Sequence, residues 1–122
     1  MKNFSFLLLL LLPVLFKGDP VVEWMTPMEH DFGDIEQNKP VTHFFKFKNI
    51  SGEPFIIDNV RTTCGCTAPD WSNEPVEADS TNQIKIEFNA AKTGYFRKKI
   101  RVFFSNQRKA EMLHIEGYVL GE

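Results

Sequence analysis

The sequence predicts an all-β sandwich of about seven strands behind an N-terminal signal peptide. Three observations carry the prediction. Short runs in which apolar and polar residues alternate recur along the chain. Clusters of Gly, Pro, Asn and Ser separate them at roughly regular spacing, and no segment shows a helical period with caps. The composition supports a packed domain: 43% of the 122 residues are apolar and 25% charged, which excludes intrinsic disorder. Phe accounts for 12 residues against two Trp and two Tyr, a bias towards rings without a polar tip and so towards a core.

The first element is a leader. Lys2 precedes an apolar stretch, Phe4 to Phe16, broken only by Ser5 and Pro13. A helix needs roughly twenty residues to span a bilayer, so this stretch has the length of a signal-peptide core. Gly18 suits the last position before cleavage, whereas Phe16 stands where a small residue is preferred. A retained membrane anchor is the rival reading. No cysteine lies nearby to carry a lipid. Residues 1–18 are therefore read as signal peptide, 19–27 as linker and 28–122 as the sandwich, in an exported protein, periplasmic or secreted, with no stable membrane span once the leader is removed. The leader holds two of the 14 basic residues and none of the 16 acidic ones, so the remainder has a net charge of −4. That balance argues against nucleic-acid binding, which needs clustered Lys and Arg.

The strands follow in order. A short one is expected around His30 to Gly33, with Asp34 placed to cap a turn after Gly33. Val41 to Lys48 puts Val41, His43, Phe45 and Phe47 on one face and Lys46 and Lys48 on the other. Asn49 to Pro54 reads as a turn, Phe55 to Val60 as a strand, and a further strand is placed near Thr67 to Trp71. Gln83 to Phe88 turns Ile84, Ile86 and Phe88 inward. Tyr95 to Phe104 sets Phe96, Ile100, Val102 and Phe104 against Arg97, Lys99 and Arg101, with Lys98 falling on the apolar side near the sheet end. Ser105 to Arg108 makes a hairpin turn into a last strand with Leu113, Ile115, Gly117 and Val119 on one face. Phe45, Phe47, Phe55, Phe88, Phe96 and Phe104 are the expected core, each contributing about 1.5–3 kcal/mol on burial.

Chemistry concentrates at Thr62-Thr63-Cys64-Gly65-Cys66-Thr67, which holds both cysteines of the chain. An even cysteine count in an exported protein points to a disulfide. Residues two apart in an extended strand lie ~6.8 Å apart, at the edge of disulfide reach, and Gly65 supplies conformations closed to other residues that shorten it. Such a pair closes a small ring, adds little chain-entropy stabilisation and is more easily reduced than a structural disulfide. Four readings stay open: a local disulfide or packed thiols shaping a loop, a redox-labile dithiol, a two-thiolate chelate for Cu(I), and a nucleophilic cysteine. A closed zinc site needs four ligands, and no spacing brings His30, His43 or His114 to Cys64.

Other candidates are weaker. Arg97, Lys99 and Arg101 share a strand face fit for an anionic surface, or serve only as solvated charge guarding an edge. Trp71 after Pro69 is read as a plug at the sandwich end, with sugar or peptide binding as the alternative. Asp31, Asp34, Glu36, Asp58 and Asp79 lack calcium-loop spacing.

In order along the chain, His30-Asp31-Phe32-Gly33-Asp34-Ile35, Phe45-Lys46-Phe47-Lys48-Asn49 with Ser51-Gly52, Val60 to Thr67 around Cys-Gly-Cys, Ile84 to Asn89, Gly94-Tyr95-Phe96, Ser105-Asn106 and Ile115-Glu116-Gly117 resemble the bacterial domain of unknown function 1573. The resemblance covers nearly the whole chain after the leader. It implies an immunoglobulin-like antiparallel sandwich, exported, of a type common in Bacteroidetes, and similar in fold to the modules of abnormal-spindle and hydin proteins. It assigns no reaction, so no catalytic residue is carried over, and Cys64 and Cys66 match the family's hallmark position. Glu77-Ala78-Asp79-Ser80 departs from the Pro-Gly turn usual there. Asn49-Ile50-Ser51 fits the glycosylation acceptor pattern, which a bacterial chain leaves unused. The functional expectation is a small exported binding or scaffold module for a protein or cell-surface partner, with no catalysis and no cofactor. The alternative is a thiol-redox or Cu(I)-handling protein built on Cys64 and Cys66.

Overall fold

The computed structural model describes residues 19–121, so the leader read over 1–18 lies outside the described residues. Eight strands form: β1 Val22–Trp24, β2 Glu29–Glu36, β3 Val41–Asn49, β4 Ile57–Thr62, β5 Thr67–Asp70, β6 Thr81–Phe88, β7 Gly94–Phe104 and β8 Glu111–Leu120. They make two four-stranded sheets, one ordered β1-β3-β6-β5 and the other β2-β8-β7-β4. No described helix is long and apolar enough to cross a membrane.

Period-two alternation decides which side chains meet between the sheets. From the first sheet Phe45, Phe47, Ile84, Ile86 and Phe88 point inward, and from the second Phe96, Ile100, Val102, Phe104, Leu113, Ile115 and Val119; all are buried. The six phenylalanines expected in the core are there, each below 7% exposed. Phe88 stacks on Phe96 across the sheets at 4.0 Å between ring centroids. Gly117 takes an inward position where a Cβ would stand 2.8 Å from Phe96 Cζ and 2.9 Å from the Gly33 carbonyl oxygen. A side chain there would displace both the ring and β2.

The structure corrects five details. The eighth strand, β1, lies within the segment read as linker, where Val22 pairs with Asn49 and Trp24 with Phe47 of β3. Three residues are too few for a period to register in the sequence. One pairing departs from the antiparallel expectation, because β2 runs parallel to β8. β2 also extends to Glu36 across a register shift between Asp31 and Asp34, where Gly33 takes φ 71°. Asp31, not Asp34, closes that turn by accepting the Gly33 N–H at 2.8 Å. The fourth strand begins at Ile57, and Phe55 instead forms an isolated bridge with Val76.

The departure at Glu77–Ser80 keeps its turn. The Ser80 N–H donates to the Glu77 carbonyl at 3.0 Å, and Asp79 holds a positive φ of 66°. Aspartate is among the few residues that tolerate this region.

Candidate functional site

The Cys-Gly-Cys turn is one of the crossovers between the sheets. It joins β4, an edge strand of the second sheet, to β5, an edge strand of the first. Cys64 and Cys66 are paired at disulfide distance, with Cα atoms 5.1 Å apart. The turn closes with the Thr67 N–H donating to the Cys64 carbonyl at 3.2 Å, and the Asn89 N–H ties it to the β6 end through the Cys66 carbonyl at 2.9 Å. The Thr62 hydroxyl spans it, 3.2 Å from both the Cys64 and the Thr67 carbonyl oxygens. The Cys66 N–H points at Cys64 Sγ at 3.2 Å. Gly65 is not in the left-handed region and has nothing within 4 Å of a built Cβ, so the expected need for an unusual glycine conformation does not arise.

Beside the turn lies a cleft of about 420 Å³, lined by both cysteines, Lys92, Tyr95 and Lys98 over an aromatic floor of Phe88 and Phe96. Lys98 reaches it because its position faces inward on β7 where the sandwich ends. Neither Lys92 nor Lys98 forms a salt bridge among the described residues. Trp71 packs half-buried against the core, and its buried Nε1 has no hydrogen-bond acceptor among the described residues.

Arg97, Lys99 and Arg101 of β7 are exposed on the outer face of the second sheet, but they differ in what they meet. Arg97 pairs with Glu29 at 3.1 Å and with Glu116, and these bonds raise its pKa, the Glu29 hydrogen bond most. Its charge is satisfied internally. Lys99 lies opposite His114, and Arg101 lies between Met112 of β8 and Arg61 of β4. Arg61 was not legible as a site residue. Plain alternation from Ile57 turns it inward, but a register shift between Ile57 and Asn59 places Ile57 and Val60 both inside and Arg61 outside. Its guanidinium lies 5.8 Å from the Phe103 ring centroid.

The structure also joins two histidines that spacing left apart. His30 of β2 and His43 of β3 stack at 3.7 Å with planes 9° apart, bridging the sheets, and Phe32 and Phe45 meet them edge-on. His43 Nε2 is buried without a hydrogen-bond partner among the described residues. Its pKa is lowered by burial first and then by the charge of His30. Neither histidine lines the cleft. No group of three or more His, Cys, Asp or Glu side chains placed to hold a metal occurs among the described residues.

The lowered pKa of His43 sets a pH dependence. Above roughly pH 6.5 both folded and unfolded states hold His43 neutral. As pH falls below that value the unfolded chain takes up the proton first, so stability drops. Denaturant titrations at pH 7.5 and 5.0 are expected to give a lower midpoint at the acid pH, and His43→Phe is expected to shrink that difference. An unchanged difference would remove His43 as its source.

The profile of the family described as protein of unknown function, DUF1573, matches residues 23–119. No match is found among curated proteins. Among solved structures, a protein of unknown function from Porphyromonas gingivalis W83 is similar with a TM-score of 0.68 at 10% identity, over 80% of this chain and 46% of that one. A family 123 glycoside hydrolase from Clostridium perfringens gives 0.69 at 9% identity, over 80% of this chain and 24% of that one. The chain thus spans less than half the length of these two. The ASH/PapD-like domain 7 of human CEP192 gives 0.67 at 11% identity, over 98% of this chain and 99% of that one. At such identities the likeness concerns the fold, an immunoglobulin-like sandwich. With the family profile spanning every strand except the first residue of β1 and the last of β8, the chain belongs to the DUF1573 family of proteins of unknown function.

Proposed function

We propose that this chain is an exported binding or scaffold module that meets a protein or cell-surface partner on the outer face of its second sheet. Export rests on the basic and apolar leader from Lys2 to Phe16. One observation carries the contact surface. Arg61 and Arg101 stand directly opposite each other on β4 and β7, with Lys99 in the neighbouring row, and none of the three has a salt-bridge partner among the described residues. Like charges facing each other across strands cost stability, so the fold gains nothing from this pair. An acidic partner offsets the repulsion.

The test is binding to the cell-envelope fraction of the producing bacterium. Lys99→Glu with Arg101→Glu is expected to weaken binding roughly tenfold at low salt. Stability should not fall, since Glu at 101 faces Arg61. Undiminished binding would overturn the surface.

A second reading, thiol exchange at Cys64 and Cys66, is favoured by the cleft that carries the disulfide beside two lysines. Cu(I) handling is its variant. It requires reduction first, since only thiolates ligate the ion.

A further inference from the structure

On the thiol-exchange reading, we infer that the cleft takes an anionic thiol, that Cys66 is the sulfur attacked and that Cys64 is the leaving group. The polarity follows from one hydrogen bond. In disulfide exchange the bond breaks towards the sulfur that better holds negative charge. The Cys66 N–H already points at Cys64 Sγ at 3.2 Å and stabilises charge as it develops there. Among the described residues, Cys66 Sγ has only the Thr67 hydroxyl, at 3.7 Å.

The charge preference follows from the walls. Lys92 and Lys98 line the cleft with the cysteines, and no Asp or Glu does. Lysines beside a thiolate favour its charged form, and they draw in a substrate that carries a carboxylate near its sulfur. Tyr95, 64% exposed, and the Phe88–Phe96 floor give an apolar surface for the rest of it. A cysteine flanked by Asp or Glu in a polypeptide and a small acidic thiol share this chemistry.

The exchange balances in two steps. The incoming thiolate forms a bond to Cys66 Sγ while the Cys64–Cys66 bond breaks, its electron pair leaving on Cys64 Sγ, which takes a proton from water. A second thiolate, from the same dithiol or another molecule, then attacks the substrate sulfur and releases Cys66. Two thiols become one disulfide, and two electrons reduce the pair.

The oxidised full-length protein is treated with glutathione, with a cysteine peptide flanked by glutamates, and with cationic cysteamine, each in the presence of iodoacetamide. Adducts are located by fragmentation mass spectrometry. The expected product carries the thiol on Cys66 and the alkyl group on Cys64. Both anionic thiols are expected to react about tenfold faster than cysteamine per thiolate. Lys98→Glu, and separately Lys92→Glu in the exposed β6–β7 connection, should erase that preference. The faster of the two anionic probes distinguishes a polypeptide substrate from a small one. Exchange with the adduct on Cys64, or with no charge preference, overturns this inference and leaves the thiol-exchange reading standing. A disulfide inert to all three thiols overturns both.

Discussion

Replacing Phe47 with alanine is expected to cost about 3–5 kcal/mol, the range for deleting a fully buried aromatic ring. Phe47 is 0% exposed and stands where several elements meet. Its ring makes edge contacts with Trp24 of β1 at 5.6 Å and with Phe104 of β7 at 5.2 Å, and stacks on Phe55 at 6.2 Å. Removing it therefore loosens β1, the β3–β7 packing and the bridge at Phe55 together. A domain of this size has roughly 5–15 kcal/mol of stability, so the variant would be marginal or unfolded. Phe44, one strand face away and 39% exposed, supplies the control: Phe44→Ala should change stability by less than about 1 kcal/mol. Urea unfolding of the two variants checks the contrast, and a Phe47→Ala cost near that of Phe44→Ala would contradict the packing described.

The second large effect is expected at Asn49, the one fully buried polar side chain among the described residues. Its Nδ2 donates to the Glu53 carbonyl at 2.8 Å and the Val76 carbonyl at 2.9 Å. Its Oδ1 accepts from the Ser51 N–H at 2.9 Å and the Ser51 hydroxyl at 2.7 Å. The amide thereby ties the turn after β3 to the Phe55–Val76 bridge. Asn49→Asp keeps the shape but replaces two donors with an oxygen facing two carbonyl oxygens, and buries a charge. About 3–5 kcal/mol is expected at neutral pH, the scale for an uncompensated buried charge. The sign with pH is fixed. Such a carboxyl has a folded pKa above its unfolded value, so the penalty is full above the folded pKa and shrinks as pH falls and the group protonates. Stability of the variant relative to wild type, measured from pH 7 downwards, should recover towards acid, and a constant difference would show that charge is not the cause. The same four bonds leave no access for a glycan at the Asn49-Ile50-Ser51 pattern.

Alternation placed five of the six core phenylalanines and the inward faces of β3, β6, β7 and β8 correctly, because a sandwich buries one face of each strand and the period follows directly; Phe55 is buried from an isolated bridge outside any strand. Alternation failed wherever the period breaks. The register shift in β4 moved Arg61 to the outer face, and three-residue β1 had no period to read. At the site, the cysteine pair was legible because it is local. His30 and His43 stack only because the two sheets pack, Arg61 opposes Arg101 only through the β4–β7 pairing, and Lys92 and Lys98 meet the cysteines only where the β6–β7 end lies beside the β4–β5 turn. Arg97 shows the reverse case: it shares a strand face with Lys99 and Arg101, but Glu29 and Glu116 occupy it.

The parallel pairing of β2 with β8 has a consequence for the order of assembly. Glu29 of β2 lies beside His114 of β8, and β8 also separates β2 from β7 in the sheet. The second sheet therefore has no middle until the last strand arrives. This is a high-contact-order topology, in which loop closure across most of the chain precedes the contacts that reward it, and folding falls in the slow, millisecond-to-second class. Until then β2 has no partner in its sheet and β7 keeps an open edge, a template for pairing with other chains. Chains truncated before Glu111–Leu120 are expected to aggregate more readily than the whole domain, which light scattering of the two side by side checks.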